Sequence, residues 1–180
     1  TFSIEGVHTP PVPEPNVYVV DAGVVNSTIA GGGAYIGNLI TDPQDPSLPI
    51  DPVTNPVDTD AQFLYQIYPN TVSVPTYTVN GMTVSLTPVS TFLNPTDVAE
   101  YQFTYEGHIG ILEVDPFGAI RLESTQPNLF QFLPQGESVV FNFSYTNIDG
   151  DRISSQNSAN VSITINGNYT PPLTQDSLVN

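Results

Sequence analysis

Residues 138–145 read Ser-Val-Val-Phe-Asn-Phe-Ser-Tyr, and their alternation sets the fold class. Val139, Phe141, Phe143 and Tyr145 fall on one face of an extended chain, and Ser138, Val140, Asn142 and Ser144 fall on the other. One apolar and one polar face suit an antiparallel strand with a single side in a core. The same period recurs in Ala61–Tyr68, Thr71–Val79, Met82–Thr87, Val98–Tyr105 and Ala159–Ile165. Asn80-Gly81, between two of these runs, predicts a two-residue hairpin turn. Asp115-Pro116-Phe117-Gly118 and Pro134-Gln135-Gly136 mark further turns. No three-turn window keeps a helical apolar period without a proline or a β-branched run breaking it. The expected fold is an all-β sandwich of antiparallel strands.

Composition limits the function classes. The chain has 180 residues with Lys+Arg 2 against Asp+Glu 18, a net charge of -16. A phosphate backbone needs several cationic contacts and an anionic lipid surface needs a polybasic cluster. Arg121 and Arg152 are the only lysine or arginine residues, so nucleic acid and anionic membrane surfaces are excluded as direct partners. No stretch approaches the apolar length of a membrane span, so no membrane insertion is expected. Cys 0 removes disulfides, zinc thiolates and cysteine nucleophiles. Charged residues are only 11%, and an acidic chain of this kind suggests disorder, but 9 Tyr and 9 Phe with repeated Val/Ile/Thr runs need a core. A folded domain with a mostly uncharged surface follows. Thr1 is not an initiator, so any secretion signal is expected to have been removed or to lie outside this sequence.

Two regions lack strand periodicity. Residues 8–16 (HTPPVPEPN) form an extended proline-rich linker, and residues 41–60 are dense in Asp and Pro. The second is either an ordered ion-binding excursion or a flexible loop. A short internal repeat relates the two ends of the chain. Residues 1–11 (TFSIEGVHTPP) align without a gap on residues 162–172 (SITINGNYTPP), matching Gly6 with Gly167, Thr9 with Thr170, and Pro10-Pro11 with Pro171-Pro172. Either both are generic strand-to-linker exits, or Thr1–Val7 is the last strand of a preceding unit. On the second reading Phe2, Ile4, Gly6, Thr9, Pro10, Pro11, Gly167, Thr170, Pro171 and Pro172 form a subunit or repeat junction. The chain is then one period of a tandem array, or a polymer subunit lending its first strand to a neighbour.

The tail SVVFNFSYTNIDGDRISSQNSANVSITINGNYTPP resembles the end of a bacterial cadherin-like repeat of the VCBS type. Gly136, Glu137, Phe143, Tyr145, Asp149, Gly150, Asp151, Ile163, Ile165, Gly167 and Pro171 sit on that pattern. Upstream, Gly110, Leu112 and Gly118 are similar to the family's glycine-flanked hairpin, and the likeness is best over about residues 100–172. It implies an Ig/cadherin-like sandwich in an extracellular or cell-surface structural module, typical of adhesins and stalks, without catalysis. The family's linker carries Asn-Asp where this chain has Tyr169-Thr170 and His8-Thr9, which removes a carboxylate from the inter-repeat calcium site.

Candidate chemistry is sparse. Calcium takes six to eight oxygens, and Asp149 with Asp151, Asp58 with Asp60, and Asp42 with Asp45 have the spacing for two carboxylates to converge from one turn. The same residues are equally ordinary turn formers. Asn26, Asn142, Asn160 and Asn168 open Asn-x-Ser/Thr glycosylation sequons, which a chain this rich in Asn, Ser and Thr also produces by chance. Glu106, His108 and Glu113 are the nearest approach to an acid/base cluster: in a strand Glu106 and His108 would share one face and Glu113 would take the other, but exposed strand-end residues are the preferred reading. Tyr18, Tyr35 and Tyr77 are the aromatics least tied to a core face, and with the acidic loops they offer a platform for surface glycans.

The expected organisation is an arm and proline-rich linker over 1–15, a sandwich over 16–172 carrying the 41–60 insertion, and a linker over 173–180. A split into two domains near Pro95 stays open. The expected function is a non-catalytic fibre, filament or adhesin stalk built from copies of the chain or neighbouring repeats. The alternative is a calcium-dependent carbohydrate-binding module.

Overall fold

A computed structural model of the chain describes residues 10–29, 33–40, 68–91, 93, 97–150 and 152–171. In chain order these form β1 (Asn16–Asp21), α1 (Ala22–Thr28), β2 (Ala34–Asn38), β3 (Tyr68–Val72), β4 (Thr76–Val79), β5 (Met82–Ser85), β6 (Thr87–Ser90), β7 (Ala99–Tyr105), β8 (His108–Val114), β9 (Ala119–Ser124), β10 (Ser138–Ile148) and β11 (Ala159–Asn166). One sheet runs β1-β11-β10-β4-β5, with β3 also pairing β10, and the other runs β2-β9-β8-β7-β6. The fold is an all-β sandwich, as the alternation requires.

β10 organises the first sheet. Its apolar face is buried from Val139 to Tyr145, while Asn142 on the opposite face is exposed. β11 lies antiparallel along one side, and β4 and β3 take successive stretches of the other. The expected single strand over Thr71–Val79 is interrupted at Ser73–Pro75, because Pro75 has no N–H to give to a ladder. The expected strand over Met82–Thr87 also divides. Leu86 is buried at the corner, its N–H donates to the Pro75 carbonyl at 2.8 Å, and the chain crosses there from one sheet to the other. Most of the Ala61–Tyr68 expectation lies outside the described residues.

The two sheets meet through aromatic rings. Phe103 of β7 packs edge-on to Phe141 of β10 with ring centroids 5.0 Å apart, and lies parallel to Phe130 at 6.4 Å. Burying side chains of this size contributes roughly 1.5–3 kcal/mol each. Leu112, Val114, Ile120 and Leu122 from the second sheet join Val139, Ile163 and Ile165 from the first in one core.

The turn signals hold. Asn80 and Gly81 have φ of 50° and 74°, and Val79 faces Met82 across them, so the loop is a two-residue hairpin of the mirror-image type. Asp115 Oδ1 accepts from the N–H groups of Phe117 (2.8 Å) and Ala119 (3.0 Å), which closes the turn between β8 and β9.

Two features are absent from the sequence expectations. α1 is a short helix, capped by the Asp21 carboxylate on Gly23 N–H and held by buried Ala22 and Val25. β1 pairs parallel with β11, from Asn16 opposite Val161 to Asp21 opposite Asn166. The first and last described strands of the sandwich are thus side by side and point the same way.

Candidate functional site

That parallel pair places the entry to β1 and the exit from β11 at opposite ends of the sandwich. Chain arriving at Asn16 enters beside the start of β11, and chain leaving Asn166 departs beside the end of β1. Six paired residues separate the two points by roughly 17 Å at about 3.3 Å per residue. The residues that fix each end are the candidate junctions.

The incoming end is held by a buried polar network. Asn16 is almost wholly buried, and its Nδ2 donates to the Glu14 carbonyl at 2.9 Å and lies 3.3 Å from the Tyr145 hydroxyl. The Tyr145 hydroxyl lies 2.9 Å from the Leu39 carbonyl and 3.0 Å from the Glu14 carbonyl. Tyr18 donates its hydroxyl to the Asn38 carbonyl at 2.9 Å, and Asn38 Nδ2 donates to the Phe117 carbonyl at 3.0 Å. The linker, β1, β2, β10 and the β8–β9 turn are therefore tied at one place. Gly37 makes room for this: a Cβ there would overlap the Tyr18 ring, well inside van der Waals contact with its Cε1. Ahead of the network, Pro11 and Pro13 are buried, and a cavity of about 210 Å³ lies between Pro10–Pro13 and the Gln156–Asn157 loop.

The outgoing end is held by backbone. Gly167 N–H donates to the Glu137 carbonyl, Tyr169 N–H to the Leu133 carbonyl, and Gln135 N–H to the Tyr169 carbonyl, at 2.9, 3.0 and 2.9 Å. Gly167 sits so close to Leu133 and Pro134 that a Cβ would stand 2.6 Å from the Leu133 carbonyl oxygen. Asn168 Nδ2 donates to Asp21 Oδ1 at 3.1 Å, joining the outgoing tail to the end of β1.

Of the expected junction residues, Pro10, Pro11, Gly167, Thr170 and Pro171 lie at these two ends, while Phe2, Ile4, Gly6, Thr9 and Pro172 lie outside the described residues. Among the acids, Asp42, Asp45, Asp58, Asp60 and Asp151 also lie outside them. Asp149 is buried, and its Oδ1 accepts from Ile153 N–H at 2.8 Å, so that oxygen serves the turn. Among the described residues no group of three or more His, Asp or Glu side chains is placed to hold a metal ion. Also among them, no helix is long and apolar enough to cross a membrane.

The sequon asparagines differ in access. Asn142, Asn160 and Asn168 are exposed, whereas Asn26 is half-buried in α1 with its Oδ1 accepting from Phe130 N–H at 2.8 Å.

Glu106 is exposed at a strand end, as expected: with Gly107 (φ 48° and 79°) it forms the turn between β7 and β8, so it shares no strand face with His108. Glu113 lies opposite Arg121 instead, 3.4 Å from its guanidinium, with Asp115 3.1 Å from the same nitrogen. Burial, then the Glu123 charge, push the Glu113 carboxyl above its ordinary range against the pull of Arg121. Tyr18 is not a surface aromatic, since it is fully buried with its hydroxyl engaged. Tyr77 is half-buried against Phe103 and Phe141 and donates to the Thr104 carbonyl at 2.7 Å. Tyr35 is half-buried on β2. The three tyrosines do not form one platform.

The polar network at the incoming end was not expected from the sequence. Its only sequence signal is Asn16 before an alternating NVYVVD run, which reads as polar until its burial is known. No family model, no curated protein and no solved structure matches the chain.

Proposed function

We propose that the chain is a non-catalytic structural module that stacks end to end in an extracellular fibre, filament or adhesin stalk. The parallel register of β1 with β11 carries this reading, since it sends the chain in at one end and out at the other. An antiparallel terminal pair would return both ends to one side and favour a hairpin arrangement of neighbours. The internal repeat adds to it. Gly6 aligns with Gly167, whose close approach to Leu133 and Pro134 has a specific backbone reason. Residues 1–7 then read as the equivalent of a β11 end belonging to the unit before. Pro10-Pro11 rest on this unit, and Pro171-Pro172 align with them as the contact offered to the unit after. The likeness of residues 100–172 to cadherin-like repeats belongs to the same proposal.

In the polymer form of this reading, residues 1–7 are donated to a neighbouring subunit as an added strand. Deleting residues 1–8 then abolishes growth in light scattering, and fibres from the truncated chain would rule the donated arm out. The stacking itself is tested by joining two copies in tandem and measuring small-angle scattering. A maximum dimension close to twice that of one copy is expected. Two sandwiches folded back side by side would overturn the reading.

A further inference from the structure

Charge singles out one side of the sandwich. Residues 61–96 contain no Asp, Glu, Lys, Arg or His, the longest such stretch in a chain of net charge -16. Its described part builds β3, β4, β5 and β6, and among the described residues β5 and β6 each lie at one edge of their sheet. Because the chain crosses between sheets at Leu86, one continuous run forms both edges.

The two edges differ in how they are guarded. β6 contains Pro88, and its ladder with β7 slips between Pro88 and Ser90, both of which blunt an edge. β5 (Met-Thr-Val-Ser) has no proline, no charge and a regular register with β4. In a two-residue hairpin the residues flanking the turn, Val79 and Met82, exchange backbone hydrogen bonds, and by alternation so do Tyr77 and Val84. The N–H and C=O groups of Thr83 and Ser85 therefore point to the open edge. Met82 and Val84 stand on the same sheet face as their partners Val79 and Tyr77, which pack on the core. Yet Met82 is 67% and Val84 48% exposed, so the second sheet leaves this part of the inner face uncovered.

We propose that β5 is the contact of a homodimer, pairing antiparallel with β5 of a second copy about a two-fold axis at Val84. In that register Thr83 exchanges both hydrogen bonds with Ser85 of the other copy. Val84 faces its own counterpart in a non-hydrogen-bonded pair, with Cα atoms about 4.5 Å apart. The apolar side chains of both copies then cover one another on one face. Charge argues that the occupant is a second copy. Two chains at -16 repel wherever carboxylates meet, and on this edge neither brings one. An edge of this kind is self-complementary, as a two-fold interface requires. The contact is lateral and independent of end-to-end stacking.

The chain has no cysteine, so one introduced thiol is a clean probe. Val84→Cys is expected to give a disulfide-linked dimer under mild oxidation, well ahead of an Asn142→Cys control on the exposed outer face of β10. Light scattering of the parent chain is expected to rise with concentration from 19.4 kDa through twice that mass. Val84→Asp places two carboxylates face to face, and Thr83→Pro removes an outward N–H while sparing the ladder to β4. Both are expected to abolish that doubling step. The proposal is overturned by a parent that stays monomeric, by variants that dimerise like the parent, or by equal crosslinking from positions 84 and 142. If Thr83→Pro fails to fold, the two Val84 variants decide. End-to-end growth through the N-terminal arm survives both edge substitutions, so either reading can fail alone.

Discussion

Gly167→Ala is a single methyl aimed at the outgoing junction. Gly167 has no left-handed φ, so alanine is acceptable to its backbone and the effect is purely one of space. The added Cβ would meet the Pro134 carbonyl oxygen inside van der Waals contact and the Leu133 carbonyl oxygen at 2.6 Å. Both obstacles are backbone and cannot rotate away, so the tail must lift from the 133–137 turn. Three backbone hydrogen bonds then go: Gly167 to Glu137, Tyr169 to Leu133 and Gln135 to Tyr169. At about 0.5–1.5 kcal/mol each, and with Asn168 exposed between them, a loss of about 2 kcal/mol follows. Urea unfolding reads the total, and amide exchange places it. The Tyr169 and Gln135 amides should lose protection most. A change below about 0.5 kcal/mol with both amides still protected would refute the reasoning, since it would mean that the turn yields freely.

Three further predictions follow from the same geometry. Tyr145→Phe removes a hydroxyl shared by the Leu39 and Glu14 carbonyls and should cost about 1–3 kcal/mol in urea unfolding, with exchange at Asn16 rising. Gly37→Ala drives a methyl against the buried Tyr18 ring, whose hydroxyl bond to Asn38 keeps it from moving aside; a loss of about 1–3 kcal/mol is expected, and a neutral result would place Tyr18 elsewhere. Glu113 has a raised folded pKa, so its contribution is present below the ordinary carboxylate value of 4.5 and fades as pH rises through the folded value. Glu113→Gln should therefore be at least as stable as the parent at pH 7 and flatten the stability profile just above pH 4.5, with the Arg121–Asp115 pair intact. A variant less stable at pH 7 would contradict that sign.

The strands with one clean apolar face were legible because period two maps directly onto burial. β7, β10 and β11 match their expected runs to within one residue at the ends those runs set, although β10 runs on to Ile148. The breaks at Pro75 and Leu86 were not, since alternation continues through a corner where the same side chains change sheets. α1 was invisible because Val24, Val25, Ser27 and Thr28 are weak helix formers; buried Val25 and the Asn26 bond to Phe130 hold it instead. Gly167 was legible as part of a repeat, but not as the place where two backbone segments touch. Asn16 shows the limit most clearly. A polar residue after a proline linker gives no sign that it is buried between Glu14, Leu39 and Tyr145, because Leu39 and Tyr145 come from distant parts of the chain.

A module loaded along its length must carry tension between residues 10 and 171. With β1 and β11 parallel, that tension slides the two strands past each other and loads their evenly spaced bonds together. Moving one attachment point to Ser158, before β11, pulls the same strands from one end and loads the bonds in turn. Single-molecule pulling in the two geometries is the most direct measurement. The account predicts one cooperative rupture at a clearly higher force through residues 10 and 171. Equal forces, or β1 peeling away at low force in the end-to-end geometry, would contradict it.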